Sequence, residues 1–207
     1  MHYEGSIIVD DSDIREYDKK ELNIIISHFS ASRNEINPEA VVKEWILGGR
    51  INHKKKLSPY SDTDREIAYQ QMINFGLKSL SETKLKLISE SSRRMASLAK
   101  IFASQSDILL LEKPETGLNL NQRVLLSKNI KKHSGESGRI IILTSSDLNF
   151  IASTCDRIVI LADNKIAETG TRQIITAELL KKYFQIEAIV TKNIFSGLPE
   201  IQIIEEY

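Results

Sequence analysis

The chain has 207 residues with 28 basic and 28 acidic side chains, so its formal net charge is zero. This balance argues against a nucleic-acid or polyanion binder, which needs a basic excess, and the length suffices for one well-buried domain. No apolar run approaches the roughly 20 residues that cross a bilayer, and the N-terminus predicts no signal peptide. The lone Cys155 is consistent with a reducing compartment. We therefore expect a cytoplasmic protein.

The first part of the chain predicts a strand, a turn and a second apolar run. Residues 5–10, GSIIVD, predict a short strand, and residues 10–13 supply the turn-forming side chains. Residues 22–28, LNIIISH, form the second apolar run.

From about residue 34 to residue 87 the pattern becomes helical segments joined by polar loops. Thr63 and Glu66 have the spacing of a capping box at a helix start, and Gly76 suits the position just beyond the helix end. A further helix packed on a core is predicted by apolar residues at i, i+3, i+4 and i+7, namely Met95, Leu98, Ala99 and Phe102.

Beyond this helix, strands alternate with helices. Apolar runs predict strands at 108–111, 140–143 and 158–161, and helices are predicted around 121–133 and 147–153. Near-continuous apolar strands separated by helices indicate a parallel sheet covered on both faces.

The remaining sequence predicts smaller features. Residues 162–170 predict a tight turn and a short strand, and small helices follow to about Phe184. His28 and His133 have no companion at metal-ligand spacing, so we expect both at the surface or at a sheet edge.

The segment ILLLEKPETGLN at 108–119 ends an apolar strand in an acid, Glu112. It resembles the Walker B and D-loop segment of ABC-transporter ATP-binding subunits, normally LLLDEPTSGLD. WILGGRINH at 45–53 is similar to the VxLGRxPH segment of iron-siderophore, heme and cobalamin importer subunits. LTSSDLNF at 143–150 resembles the switch segment, and the tail at 179–190 is also similar to that subfamily.

The resemblance implies an α/β fold: a P-loop NTPase-like (RecA-like) parallel sheet, N-terminally truncated, with an inserted helical subdomain. It places an N-terminal β region at 1–33, the helical subdomain at 34–92 and a core half with a C-terminal tail at 93–207. Gly5 corresponds to the strand after the P-loop helix. The P-loop motif G-x-x-x-x-G-K-[ST] is absent from the sequence, because no glycine precedes a lysine anywhere.

The resemblance also implies ATP and Mg²⁺ as cofactors, but the reactive positions are substituted. Glu112 stands at the metal-side aspartate and is the candidate metal ligand. Lys113 stands at the catalytic glutamate and Ser146 at the switch histidine, so both are degenerate equivalents of catalytic residues. A charged lysine offers donors and no acceptor, so it cannot take a proton from an attacking water. The Q-loop position near Ser30 and Ala31 holds no glutamine.

The positions that would contact a nucleotide are substituted as well. The LSGGQ signature falls on residues 88–92, which makes Ser89 and Ser91 candidate cofactor-binding residues. Asn119, at the D-loop aspartate, is a third candidate. Glu90 replaces a glycine and adds a negative charge where a phosphate would lie.

These residues imply an ATP-binding-subunit-like component of an iron-complex importer, peripheral at the inner face of the membrane, with nucleotide binding and hydrolysis impaired. Its helical subdomain would dock on a permease, with Trp45 a candidate contact, and it would form a homodimer or a heterodimer with another ATP-binding subunit. A non-catalytic interaction or regulatory module stays open, as does a fragment whose P-loop is encoded upstream. Without the P-loop strand and helix one sheet edge loses its cover, so we expect the isolated chain to be marginally stable or oligomeric.

Overall fold

The computed structural model describes residues 4–32, 36–55, 57–136 and 138–204, and within these ranges no helix has the length and apolarity to cross a bilayer.

The chain divides into two compact units, the first ending at Thr144 and the second beginning at Ser145. In chain order the first unit contains β1 (Ile8–Val9), β2 (Ser12–Asp13), α1 (Lys19–Ile25), β3 (Ile26–Ser30), α2 (Val42–Leu47), α3 (Asp62–Asn74), α4 (Glu90–Ala103), β4 (Ile108–Glu112), α5 (Leu120–Ser134) and β5 (Ile140–Thr144). The second contains α6 (Leu148–Thr154), β6 (Arg157–Ala162), β7 (Lys165–Thr171), α7 (Ala177–Phe184), β8 (Ala188–Lys192) and β9 (Pro199–Ile203). Short 3₁₀ turns lie at Gly48–His53, Lys78–Leu80, Leu85–Leu87 and Arg172–Ile174.

A three-stranded parallel sheet with the order β3-β4-β5 forms the centre of the first unit. Its register starts with a row of three isoleucines, Ile26, Ile108 and Ile140, and ends with a polar row at the carboxyl ends of the strands. The predicted strands at 108–111 and 140–143 are confirmed.

The two faces of this sheet differ in burial. Phe29, Leu109 and Leu111 lie on one face and are almost completely buried. On the opposite face Ile140 and Ile142 are 53% and 56% exposed. The prediction of a sheet covered on both faces is therefore wrong for the described residues. In the first unit, α4 packs against β3 and α5 packs against β5.

The N-terminal residues form a small hairpin and then a helix. β1 pairs antiparallel with β2 through a turn at Asp10 and Asp11, which both have positive φ. The strand predicted over residues 5–10 is thus confined to Ile8–Val9. The apolar run 22–28 is divided between α1 and β3, because Asp18 caps a helix that occupies its first half.

Helix α3 starts earlier than its predicted cap. Ser61 is the N-cap, and its hydroxyl accepts a hydrogen bond from the Asp64 N–H at 3.1 Å while Asp64 Oδ2 accepts one from the Ser61 N–H at 3.1 Å. The predicted box at Thr63 and Glu66 is wrong because Ser61 already supplies the same chemistry two residues upstream. Gly76 follows the helix end with a φ of +71°, as predicted.

Helix α4 is the packing centre of the first unit. Its predicted apolar positions are all buried, and the helix packs against α2, α3 and β3. Phe102 makes edge-on ring contacts with Phe75 and His133, with ring centroids 5.1 and 5.2 Å apart.

The second unit has its own core and its own ladder. β6 pairs antiparallel with β7 across a turn in which Asp163 and Asn164 have positive φ. The strand predicted at 158–161 therefore forms, but with an antiparallel partner instead of a parallel one. The core of this unit collects apolar side chains from its helices and both hairpins, including Ile158, Leu180 and Ile201.

His133 is buried, contrary to the expectation of a surface position. It is 5% exposed, and within the described part of the chain its Nε2 atom has no hydrogen-bond partner. Burial lowers its pKa to about 4, the positive charge of Arg139 acts in the same direction, and a hydrogen bond with the Ser106 backbone opposes both. The error arises because helical spacing turns this position of α5 toward Phe102.

The buried imidazole should make the fold sensitive to acid. Unfolded histidine protonates near its ordinary pKa of 6.5 and folded His133 near 4, so the unfolded state binds more protons between these values. The stabilisation is present above pH 6.5 and is lost as the pH falls toward 4. We expect the urea midpoint to drop between about pH 7.5 and about pH 5.

His133→Phe is the matched variant, because it keeps an aromatic ring against Phe102 and removes the titrating group. Its urea midpoint should depend less on pH than that of the unaltered chain. Equal acid losses in the two proteins would contradict the assignment.

Candidate functional site

The candidate site lies at the carboxyl end of β4, where Glu112 is in register with Ser30 and Thr144. The Ser30 hydroxyl donates a hydrogen bond to Glu112 Oε2 at 2.5 Å, and Ser30 Oγ lies 3.0 Å from Ser32 Oγ. The Ala31 N–H donates to the Glu112 carbonyl at 3.2 Å. The half-buried carboxylate is therefore held in position by the Ser30 hydroxyl of the neighbouring strand end.

Lys113 turns the chain sharply away from the strand. It has a φ of +46°, in the left-handed region, and its N–H donates to the Thr144 carbonyl at 2.9 Å. Its side chain is exposed. An exposed ammonium group at this position can donate hydrogen bonds but cannot act as a general base.

The residues present do not by themselves fit a complete Mg²⁺–nucleotide site. Mg²⁺ sites of this kind combine one or two carboxylates with substrate phosphates, and the phosphates need a cradle of backbone N–H groups. Glu112 supplies one carboxylate, and across the described ranges no group of three or more His, Cys, Asp or Glu side chains could hold a metal ion. The role of Glu112 as a metal ligand stays a prediction.

Ser89 and Ser91, the signature-position candidates, lie at the start of α4. Ser89 is the N-cap, its hydroxyl accepts from the Ser92 N–H at 3.2 Å, and Ser91 Oγ lies 3.2 Å from it. The Ser89 hydroxyl thus satisfies one of the free N–H groups of the helix start.

Arg94 is a residue of the site that the sequence interpretation missed. It pairs with Glu90 at 2.9 Å, and this hydrogen bond lowers the pKa of the Glu90 carboxyl. Its Nη1 donates to the Ala31 carbonyl at 3.4 Å, and a Cβ on Gly117 would lie 3.1 Å from its Nε. Arg94 therefore joins the signature, Q-loop and D-loop positions. The i,i+4 spacing from Glu90 is the one sequence signal that could have indicated the ion pair.

Asn119 and Ser146 lie at the starts of two other helices. Asn119 is the N-cap of α5 and forms a capping box with Gln122, with both hydrogen bonds at 3.0 Å. Ser146 belongs to the second unit, just before α6, whose N-cap is Asp147. Their nucleotide-related roles stay predictions.

Comparisons with known proteins point to one class. No family model matches the chain. The ferric enterobactin transport ATP-binding protein FepC of Escherichia coli (strain K12) is 24% identical over 94% of the chain and 72% of its own length. The iron(3+)-hydroxamate import ATP-binding protein FhuC of Bacillus subtilis (strain 168) is 29% identical over 74% of the chain, which spans 60% of that protein. The petrobactin import ATP-binding protein FatE of Bacillus anthracis is 25% identical over 92% of the chain and 75% of its own length.

The solved structures agree on the fold. A metal-chelate type ABC transporter in an inward-facing conformation matches with a TM-score of 0.73 at 17% identity, over 87% of this chain and 73% of that one. A dimeric ATP-binding cassette bound to ADP and Pi matches with a TM-score of 0.67 at 19% identity, over 81% of this chain and 73% of that one. The chain is a homologue of the ATP-binding subunits of ABC importers. These homologues serve iron-siderophore and cobalamin import, and the structural neighbours are ABC ATPase domains.

Within this ABC ATPase fold, Arg50 is a buried structural residue of the segment 45–53. Its Nε donates to Asp64 at 2.9 Å, and its Nη1 donates to the carbonyls of Ala103 and Ser104 at 3.0 and 3.1 Å. A hydrogen bond from Ser61 and a second from Arg50 lower the pKa of the Asp64 carboxyl against the opposing effect of burial. The guanidinium thus binds the last carbonyls of α4, where a positive charge also complements the helix dipole.

Trp45 faces α4 of the ABC ATPase fold. The Lys100 ammonium lies 3.7 Å from its ring centroid, and its Nε1 donates to Ser97 Oγ at 3.4 Å. Burial lowers the pKa of Lys100. The ring and its N–H therefore already have partners within the chain. The role of Trp45 as a permease contact stays a prediction.

The cap geometry generates a prediction about Ser89. Ser89→Ala should lower the free energy of unfolding by about 1 kcal/mol, because the Ser92 N–H loses its acceptor. Ser91→Ala is the control with a smaller effect, since the Ser91 hydroxyl contacts the Ser89 hydroxyl and caps no backbone N–H. Denaturant unfolding measures both variants. Full stability of the Ser89→Ala protein would refute the capping role.

Proposed function

We propose that the chain is an ATP-binding-subunit-like component of an iron-complex importer whose nucleotide binding and hydrolysis are impaired. The observation that carries the impairment is Lys113, an exposed cation directly after Glu112. The substrate class follows the relatives, which are named for ferric enterobactin transport and for hydroxamate and petrobactin import.

The proposed partner is a membrane permease that inserts a short amphipathic helix between α2 and α3. A groove of about 620 Å³ lies there, with Leu47 and Met72 among its apolar lining and Lys43, Glu66 and Glu82 among its charged lining. An apolar floor with a charged border suits helix-in-groove recognition. In this proposal the chain lies in the cytoplasm at the inner face of the membrane, with residues 34–92 as the docking subdomain.

A homodimer or a heterodimer with another ATP-binding subunit belongs to the same proposal. The second candidate is a non-catalytic interaction or regulatory module. It is favoured by the use of Ser89 and Asn119 as helix caps, because these side chains then stabilise the fold without any nucleotide. A P-loop encoded upstream in the DNA would instead identify the chain as part of a longer ATP-binding subunit.

Permease docking predicts co-purification with one of the iron-complex permeases of the same cell. Glu66→Lys should weaken this association, because it reverses a charge in the groove lining. Glu178→Lys makes the same change at an exposed position of α7 and serves as the matched control. If no permease is retained, or if both variants bind as well as the unaltered chain, permease docking through this groove is ruled out.

Impaired nucleotide chemistry predicts no binding heat when Mg²⁺–ATP is titrated to about 1 mM, corresponding to an affinity weaker than about −4 kcal/mol. It also predicts no phosphate release. Lys113→Glu alone should restore neither, because an acceptor for the attacking water does not bind the phosphates. Saturable ATP binding by the unaltered chain would contradict the proposed impairment. Permease association is measured in a separate experiment and does not depend on this result.

A further inference from the structure

A cleft of about 480 Å³ lies beside the first turn of α4. Its uncharged lining comes from the segment after β3, namely Ala31, Ser32, Ile36 and Pro38. Its charged lining comes from Lys86 and from α4, namely Glu90, Arg93 and Arg94. Among the described residues, Ser89 and Ser91 are not part of this lining, so the cleft differs from the candidate nucleotide contacts on the same helix. Three cations and one carboxylate therefore line a cleft with the volume of a small-molecule site, roughly 300–1,000 Å³.

Two of the three cations have acidic partners. Lys86 Nζ lies 2.7 Å from Glu39, and Arg94 Nη2 lies 2.9 Å from Glu90. Glu39 also pairs with Lys84 at 3.0 Å, so Lys86 shares this carboxylate with a second cation. The hydrogen bond from Lys86 and then the one from Lys84 lower the pKa of the Glu39 carboxyl. Positive charge thus stays in excess on this side of the cleft after the ion pairs have formed.

Arg93 is the cation whose charge is not matched. It is half-buried, and its Nη1 donates to the Ile88 carbonyl at 3.0 Å. Within the described ranges no carboxylate forms an ion pair with it, and its Nε and Nη2 have no hydrogen-bond acceptor. The bond to Ile88 fixes one corner of the guanidinium. The remaining donors form a planar fork that matches the oxygens of a carboxylate or a phosphate.

The Ser32 hydroxyl adds an acceptor to the cleft. The Ser30 hydroxyl donates to Glu112 Oε2 at 2.5 Å, and Ser30 Oγ lies 3.0 Å from Ser32 Oγ. Because the Ser30 proton is used on the carboxylate, Ser32 is the donor of the second hydrogen bond. A hydroxyl that has spent its proton can still accept through its lone pairs. Ser32 therefore favours a ligand that donates a hydrogen bond.

We propose that this cleft binds a small organic oxyanion that carries a hydroxyl group beside its charged group. The Arg93 fork binds two oxygens of the anion, and Lys86 adds a point charge. Ser32 accepts from the ligand hydroxyl, while Ile36 and Pro38 contact a short apolar body. The ligand class comprises 2-hydroxy carboxylates and protonated phosphate esters, which share this chemistry. The inference rests on neither permease docking nor nucleotide binding.

Arg94 is a positioning residue in this proposal. Its Nη2 pairs with Glu90 and its Nη1 donates to the Ala31 carbonyl at 3.4 Å. The hydrogen bond from Arg94 lowers the pKa of Glu90 most, and the charge of Arg93 acts in the same direction. Arg94 thus holds the one acidic side chain of the lining and partly compensates its repulsion of an anion.

The test titrates lactate, inorganic phosphate and propionate into the full chain at constant ionic strength. Two-dimensional ¹⁵N–¹H NMR follows the Arg93 Nε–H resonance and the backbone amides of Ala31 and Ser32. We expect saturable shifts with lactate and phosphate at a Kd of about 1–10 mM. Propionate should bind at least roughly fivefold more weakly, because it has no hydroxyl to donate to Ser32. Tighter binding of lactate assigns the cleft to hydroxy carboxylates, and tighter binding of phosphate assigns it to phosphate esters.

Charge variants with opposite expected signs separate binding from folding. Arg93→Gln should weaken lactate binding at least roughly tenfold, followed through the Ala31 and Ser32 amides, because the planar fork is lost. Arg157→Gln removes the same charge from an exposed position at the start of β6 and should leave the affinity unchanged. Glu90→Gln should tighten binding roughly threefold, because the repelling charge is removed.

Ser32→Ala tests the hydroxyl contact by itself. It should reduce lactate binding to the level of propionate and leave propionate binding unchanged, because propionate makes no hydrogen bond there. This variant and Glu90→Gln keep the test decisive if Arg93→Gln does not fold.

Four outcomes would overturn the proposal. The first is the absence of a saturable shift with both lactate and phosphate. The second is unaltered binding in a folded Arg93→Gln protein. The third is a Glu90→Gln protein that binds lactate no more tightly than the unaltered chain. The fourth is displacement of lactate by 1 mM Mg²⁺–ATP, roughly the concentration at which nucleotide binding is tested, which would assign the cleft to a nucleotide site.

Discussion

The helical part of the first unit depends on the hydrogen bonds that the Arg50 guanidinium donates. It is 6% exposed and joins Asp64 of α3 to the carbonyls at the end of α4, through Ala103 and Ser104. A buried charge of this kind is tolerated only when its donors are used, and removal of one partner from a buried pair costs about 3–5 kcal/mol. Because α4 leads directly into β4, this contact links the packing of the helices to the position of the central strand.

The candidate site keeps the architecture of an ABC ATPase while several of its side chains serve the fold. Ser89 and Asn119 cap helices, Arg94 pairs with Glu90 of its own helix and reaches the loops at Ala31 and Gly117, and Ser30 orients Glu112. A helix start needs an acceptor whether or not a phosphate lies nearby. Residues at such positions therefore stabilise the helix starts whether or not they also contact a nucleotide.

Apolar spacing predicted individual elements correctly, and the predictions failed where neighbouring local signals compete or where distant contacts decide. The strand at 108–111 and the buried face of α4 follow from apolar spacing, and both are confirmed. The N-cap of α3 lies two residues before the predicted one, because two overlapping Ser/Thr–acid pairs both have the spacing of a capping box. His133 could not be placed, because its burial depends on Phe102 from another helix. The antiparallel partner of β6 likewise depends on the turn that follows it and not on its own apolar run.

The sequence predicted Glu112, Lys113 and Asn119 as candidate site residues but did not indicate their neighbours. Arg94 has an ordinary helical spacing, and its contacts with Ala31 and Gly117 come from residues far away in the chain. The sequence of a single strand also cannot show that one face of the sheet is exposed, because apolar runs look alike whether one face or both are covered. The exposed face is identified only from the register of the three strands together.

Trp45 gives the molecule a built-in optical reporter. It is the single tryptophan of the chain, and its ring lies beneath the Lys100 ammonium with its indole N–H on Ser97. Its fluorescence therefore responds to the seating of α2 on α4, and the residues after Thr144 contribute no indole signal at all. Tryptophan emission and far-ultraviolet circular dichroism can thus follow the loosening of the first unit separately from the melting of the whole chain.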